Sequence, residues 1–98
     1  MKREEAEQRL REISGWVLNR GGNKIERDFT FKDFKGAMDF VNKAARVAES
    51  EGHHPDIYIS WNRVHLALTT HAINGLSEND FIMAAKLNLS LEPVSKIP

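Results

Sequence analysis

Four histidines fall between positions 53 and 71 of a 98-residue chain: His53, His54, His65 and His71. Imidazole has an unperturbed pKa of about 6.5, so it both gives and takes protons near neutrality. Clustered imidazoles repel one another when charged, which leaves a mixture of acid and base forms. Proton transfer to and from a small molecule is the chemistry that such a cluster suits. Zinc binding is the rival use, since three imidazoles make a plausible ligand set. Against it, Glu49-x3-His53-His54-Pro55 sets successive histidines on a corner, not at the i, i+4 helical spacing of zinc proteases.

A hairpin has to bring the histidines together. Residues 56–60 and 63–70 read as strands. A turn centred on Trp61 and Asn62 sets Ile59 opposite Val64 and Ile57 opposite Leu66. Apolar then meets apolar, a match that a one-residue slip would reverse. Extending this register puts His54 opposite Thr69 and His53 opposite Thr70, with His71 next in the chain. The open end of the hairpin therefore gathers His53, His54 and His71. His54 and His71 fall on the less apolar face, and His53 at a helix–strand corner. Each histidine alone reads first as a structural hydrogen-bonder at a strand end; the grouping is what favours chemistry. His65 faces Tyr58 further along and is assigned none. Asp80 reads first as a helix cap, and Glu49 as either a solvated helix residue or a partner for an imidazole nitrogen. Trp16 reads first as a core residue.

The remaining elements complete an α-β-β-α-β-β-α order. Residues 2–14 carry Ala6, Leu10 and Ile13 at helical spacing and stop at Gly15. Trp16 to Leu18 and Ile25 to Phe31 form a first hairpin across Gly21-Gly22. The best helix spans 33–51, with Phe34, Ala37, Met38, Val41, Ala44, Ala45 and Ala48 as its apolar stripe. Thr30 or Asp33 caps its start, and Gly52 suits its C′ position. A last helix covers about 78–90, capped by Ser77 with Asp80 three residues on and burying Phe81, Ala84, Ala85 and Leu89. The tail from Glu92 to Pro98 reads as irregular. This predicts an α+β two-layer sandwich, a four-stranded antiparallel sheet with three helices on one face.

Composition narrows the function. Lys and Arg number 14 and Asp and Glu 14, so the bulk charge expected of a non-specific nucleic-acid or membrane-surface binder is missing. Without cysteine there is neither a disulfide framework nor a thiolate zinc site. The amino terminus has no apolar stretch after its basic residues, and no apolar run reaches the roughly 18 residues of a membrane span. One cytoplasmic domain over 1–98 is expected. A chain this short buries only roughly 60–70% of its unfolded surface, so a site is expected in a surface cleft or between subunits.

The pattern Glu49-x3-His53-His54-Pro55-x5-Trp61-x9-His71-x8-Asp80 resembles the signature of the pterin-4a-carbinolamine dehydratases. The similarity runs from Gly15-Trp16 through Phe31-Lys32-Asp33-Phe34 to Gly75-Leu76-Ser77-Glu78-x-Asp80, and weakens at the first helix and after Leu89. Such enzymes remove water from 4a-hydroxytetrahydropterin and recycle the cofactor of aromatic amino-acid hydroxylases. The resemblance implies His53, His54 and His71 as catalytic imidazoles, with His54 the principal acid–base group. It implies that Thr70, His71, Ala72 and Ile73 line the pterin opposite His53, His54 and Pro55, with Trp16 at the rim and Glu49 and Asp80 in support. It implies no metal and no cofactor beyond the pterin substrate, and a homodimer or homotetramer. Some animal members double as dimerisation cofactors of a homeodomain transcription factor, a role that nothing in this sequence carries over. The alternative is a non-catalytic interaction or coactivator module on the same fold, which predicts broken histidines; here all three are intact.

Overall fold

The computed structural model describes residues 1–91, and the tail expected to be irregular lies outside the described residues. Helix α1 (Arg3–Leu10) precedes strands β1 (Val17–Leu18) and β2 (Ile25–Thr30). Helix α2 (Phe34–Glu51), strands β3 (Asp56–Ser60) and β4 (Arg63–Leu68), a 3-10 turn (His71–Ile73) and helix α3 (Glu78–Leu89) follow. The four antiparallel strands lie in the order β1-β2-β4-β3. Both β1 and β3 are therefore edges, and β3 is largely exposed.

Alternation explains the two faces of the sheet. Ile25 and Phe29 of β2 and Val64, Leu66 and Leu68 of β4 point into the core, where they meet Ala37, Phe40, Ala44 and Ala48 of α2. Phe81, Met83, Ala84 and Leu87 of α3 and Ala6 of α1 close the same layer. Burying each large apolar side chain contributes about 1.5–3 kcal/mol. Phe40 centres an aromatic group, with ring centroids 4.6 Å from Phe29 and 5.3 Å from Phe31. The opposite face carries Glu26, Asp28, Tyr58 and His65, none of them buried among the described residues.

The hairpin register is the one that the apolar matching requires: Ile59 pairs Val64, Tyr58 pairs His65 and Ile57 pairs Leu66. Its turn uses a positive φ of 50° at Trp61. Asn62 ties the turn to β2, its Nδ2–H donating to the Phe31 carbonyl at 3.0 Å. Asp33 caps α2, accepting from the Gly36 N–H at 2.8 Å.

Three expectations need correction. Helix α1 ends at Leu10 rather than 14, because Arg11, Glu12 and Ile13 bond three residues back in tightening turns. The stripe of α2 is rotated: Phe40 is buried, while Phe34 in the first turn and Ala45 are exposed. In α3 the buried face is Asp80, Phe81, Met83, Ala84 and Leu87, and Ala85 and Leu89 are exposed. A charged residue anchors that stripe, so apolar periodicity alone places it wrongly.

Candidate active site

The corner between α2 and β3 fixes His53. Gly52 ends α2 in the left-handed conformation, φ 66°, and the Ala48 carbonyl accepts from both the Gly52 and His53 N–H groups. This is the position where glycine avoids a Cβ penalty. Having turned off the helix, the chain presents His53 to α3. Its Nε2–H donates to Asp80 Oδ1 at 2.6 Å, with the imidazole 17% exposed and the carboxylate 0%.

Three further groups converge on Asp80. Its Oδ2 accepts from the Thr70 hydroxyl at 2.8 Å and from the Ser77 N–H at 2.9 Å. The Thr70 and Ser77 hydroxyl oxygens are 2.7 Å apart. Asp80 is thus both the capping-box residue of α3 and the link between His53 and Thr70. A buried charge requires this saturation with donors.

Thr70 sits where the chain leaves the sheet. Pairing of β3 with β4 stops at Asp56 and Ala67, and Thr70 bridges Gly75 instead, its N–H donating to the Gly75 carbonyl at 2.8 Å. The short loop so closed carries His71, Ala72 and Ile73, all exposed. His53 and Thr70 approach one another from opposite sides of Asp80 rather than as a continued ladder. His54 points elsewhere: its Nε2 lies 2.6 Å from Glu49 Oε2, with the two side chains 60% and 77% exposed. Pro55 is half-buried beside it.

Trp16, expected at the rim, is a core residue. It is 4% exposed, packs edge-on against Phe29 and donates its Nε1–H to Asn88 Oδ1 at 2.9 Å. A buried indole needs one acceptor, and Asn88 supplies it. The same oxygen accepts from Arg27 at 2.6 Å, which ties α3 to β2; burial lowers the Arg27 pKa.

A cavity of about 110 Å³ opens beside His53, lined by Glu51, Gly52, His53, Asn79, Ile82 and Met83. Ligand pockets usually span about 300–1,000 Å³. Neither Thr70 nor His71 lines this one. Among the described residues, no group of three or more His, Asp or Glu side chains is arranged to hold a metal ion. No helix there is long and apolar enough to cross a membrane. Sequence reasoning had no signal for the Thr70–Ser77 contact, because two hydroxyls seven residues apart meet only through the bridge to Gly75.

Comparison with known proteins agrees with this architecture. A family model described as pterin 4 alpha carbinolamine dehydratase matches residues 1–89. Putative pterin-4-alpha-carbinolamine dehydratases of Aromatoleum aromaticum and Methylococcus capsulatus are 51% and 48% identical, covering 88% and 87% of this chain and 77% and 75% of their own. A mitochondrial pterin-4-alpha-carbinolamine dehydratase 2 of Arabidopsis thaliana is 44% identical, over 90% of this chain and 49% of its own. The crystal structure of a transcriptional coactivator/pterin dehydratase from Brucella melitensis superposes with a TM-score of 0.89, at 39% identity over 94% of this chain and 98% of that one. A pterin dehydratase-like protein described as a RuBisCO assembly factor shares the fold, with a TM-score of 0.68 at 19% identity, covering 78% of this chain and 88% of its own. Sequence, fold and relatives agree, and the chain belongs to the pterin-4-alpha-carbinolamine dehydratase family.

Proposed function

We propose that the chain dehydrates 4a-hydroxytetrahydropterin to quinonoid dihydropterin by histidine general acid–base catalysis, with the pterin as substrate and no further cofactor. The observation that carries this reading is His53 held at Nε2 by a buried carboxylate, with His54 next in the chain and His71 beyond the hairpin, both exposed. In the reaction the C4a–O bond breaks and its electron pair leaves with oxygen, which takes a proton to become water. The neighbouring ring nitrogen loses a proton, and the freed pair closes the C=N bond. One group must give a proton and another accept one. His54, held by Glu49, is the principal acid–base residue in this reading. His53 and His71 complete the set, and the backbone from Thr70 to Ile73 lies opposite His53, His54 and Pro55 across the substrate. Recycling of the cofactor of aromatic amino-acid hydroxylases and a cytoplasmic setting belong to the same proposal. So does self-association to a homodimer or homotetramer, for which the open edge of β3, with Tyr58, Ile59 and Trp61 exposed, offers a surface.

The test is the dehydration rate of synthetic 4a-hydroxytetrahydropterin with wild type and with His54→Ala. Wild type should exceed the spontaneous rate, and the variant should lose about 10²–10⁴-fold. No acceleration by wild type would overturn the enzyme reading in favour of the non-catalytic module. An unchanged variant would remove His54 from its role.

A further inference from the structure

We propose that Thr70 is a positioning residue that acts through Asp80 on His53, rather than a residue that binds the substrate with its hydroxyl. The inference rests on the dehydratase reading for its catalytic consequence, but its physical core does not. It starts from the direction of the protons. An ionised carboxylate only accepts hydrogen bonds, and a hydroxyl has one proton to give. The Thr70 hydroxyl lies 2.8 Å from Asp80 Oδ2, so its proton goes there. That leaves the Thr70 oxygen as an acceptor toward Ser77, 2.7 Å away, and the Ser77 hydroxyl must donate to it. The chain therefore runs one way, from Ser77 to Thr70 to Asp80.

Oδ2 also receives the Ser77 N–H at 2.9 Å. With two donors on Oδ2 and full burial, Asp80 is held as an acceptor, and its other oxygen faces His53 Nε2 at 2.6 Å. The neutral ring is thereby fixed as the Nε2–H tautomer, and Nδ1 becomes the nitrogen with a lone pair to offer. Removing the Thr70 proton would leave Oδ2 with a single donor. The carboxylate is then free to turn away, Nε2 loses its fixed acceptor, and the neutral ring relaxes toward the mixture of Nε2–H and Nδ1–H tautomers of an unheld imidazole, in which Nδ1 accepts only part of the time. The Thr70 hydroxyl thus sets which way the His53 ring works without touching the substrate.

The experiment compares wild type with Thr70→Val, which keeps the shape and loses the hydroxyl, and Thr70→Ser, which restores it. Ring ¹⁵N NMR of His53 is read at alkaline pH, alongside kcat and KM for 4a-hydroxytetrahydropterin. Wild type and Thr70→Ser should show the Nε2–H tautomer, and Thr70→Val a mixture with Nδ1–H. Losing one charge-assisted bond to the carboxylate should lower kcat roughly tenfold at unchanged KM. A raised KM with kcat unchanged would make Thr70 a binding residue and overturn the proposal. So would a His53 ring in Thr70→Val identical to wild type. If wild type proves inactive, the tautomer change still supports the hydroxyl chain while the dehydratase reading falls. Should Thr70→Val fail to fold, Thr70→Ala removes the same hydroxyl proton from Oδ2 without a branched apolar group beside the carboxylate. It should shift the same tautomer in the same direction, and an unshifted ring there would equally overturn the proposal.

Discussion

His53 and His65 are both held by carboxylates, on opposite sides of the sheet's economy of burial. His53 meets Asp80 through Nε2 alone, and Asp80 is wholly buried with its other oxygen saturated. His65 lies on the polar face of the sheet between two carboxylates, its Nδ1 2.7 Å from Asp28 Oδ1 and its Nε2 2.9 Å from Glu26 Oε1. Tyr58 on β3 tilts against the ring, centroid to centroid 6.0 Å. One ring is steadied at one nitrogen and has another to use. The second is engaged at both, which stabilises its protonated form and leaves it nothing to exchange. On the proposed dehydration, what separates the two is the number of ring nitrogens that the carboxylates leave free to move a proton.

The sharpest way to break this contrast is Asp80→Asn. The amide keeps the shape but offers one acceptor where the site needs two, and its NH₂ must face a donor. Leaving a buried donor unsatisfied costs about 1–3 kcal/mol, read as a lower denaturation midpoint. Activity should fall by about 10²-fold or more, since the ring loses both its tautomer and its orientation. An Asp80→Asn enzyme with full kcat would put the two histidines back in one class.

Gly52→Ala tests the backbone side of the same corner. No atom within 4 Å would meet the added Cβ, so sterics outside the residue contribute nothing. The left-handed φ of 66° remains, and a non-glycine residue there costs about 1–2 kcal/mol. Urea denaturation should show that loss, and Gly52→Asn a smaller one, because asparagine tolerates this conformation better. An Ala variant as stable as wild type would mean that the corner does not depend on the glycine.

These positions also mark what was legible in the sequence. The hairpin register followed from apolar matching, and the ends of α2 from Asp33 and Gly52, because each rests on local chemistry. The gathering of His53 and Thr70 was visible as a register extension, yet the ladder stops at Asp56 and the two meet across Asp80. That meeting depends on the face of α3, where Asp80, Met83 and Leu87 are buried while Ala85 and Leu89 are exposed. A carboxylate on a buried stripe contradicts the pattern from which stripes are read. Trp16 reads as core from its type and is buried; what the sequence hides is its acceptor, Asn88, which lies 72 residues away with nothing local pointing to it.

His65→Gln has the smallest expected effect and completes the contrast from the other side. Burial disfavours the charged ring, but hydrogen bonds to Asp28 and Glu26 outweigh it, and the His65 pKa is raised. Arg63, two residues back on the same strand face, is the cation nearest in sequence to this group. Because the folded pKa lies above the unfolded one, about 6.5, the stabilisation is fully present below that pH and fades as pH rises through the folded value. Thermal melts across this range should therefore show wild type more stable than His65→Gln at the acid end, with the gap closing toward alkaline pH. The ring is a third exposed, so the gap should be small. Turnover should be unchanged, since neither nitrogen is free to move a proton. A pH-independent gap would remove the paired charge as its cause, and a loss of turnover would show that two engaged nitrogens do not silence a histidine.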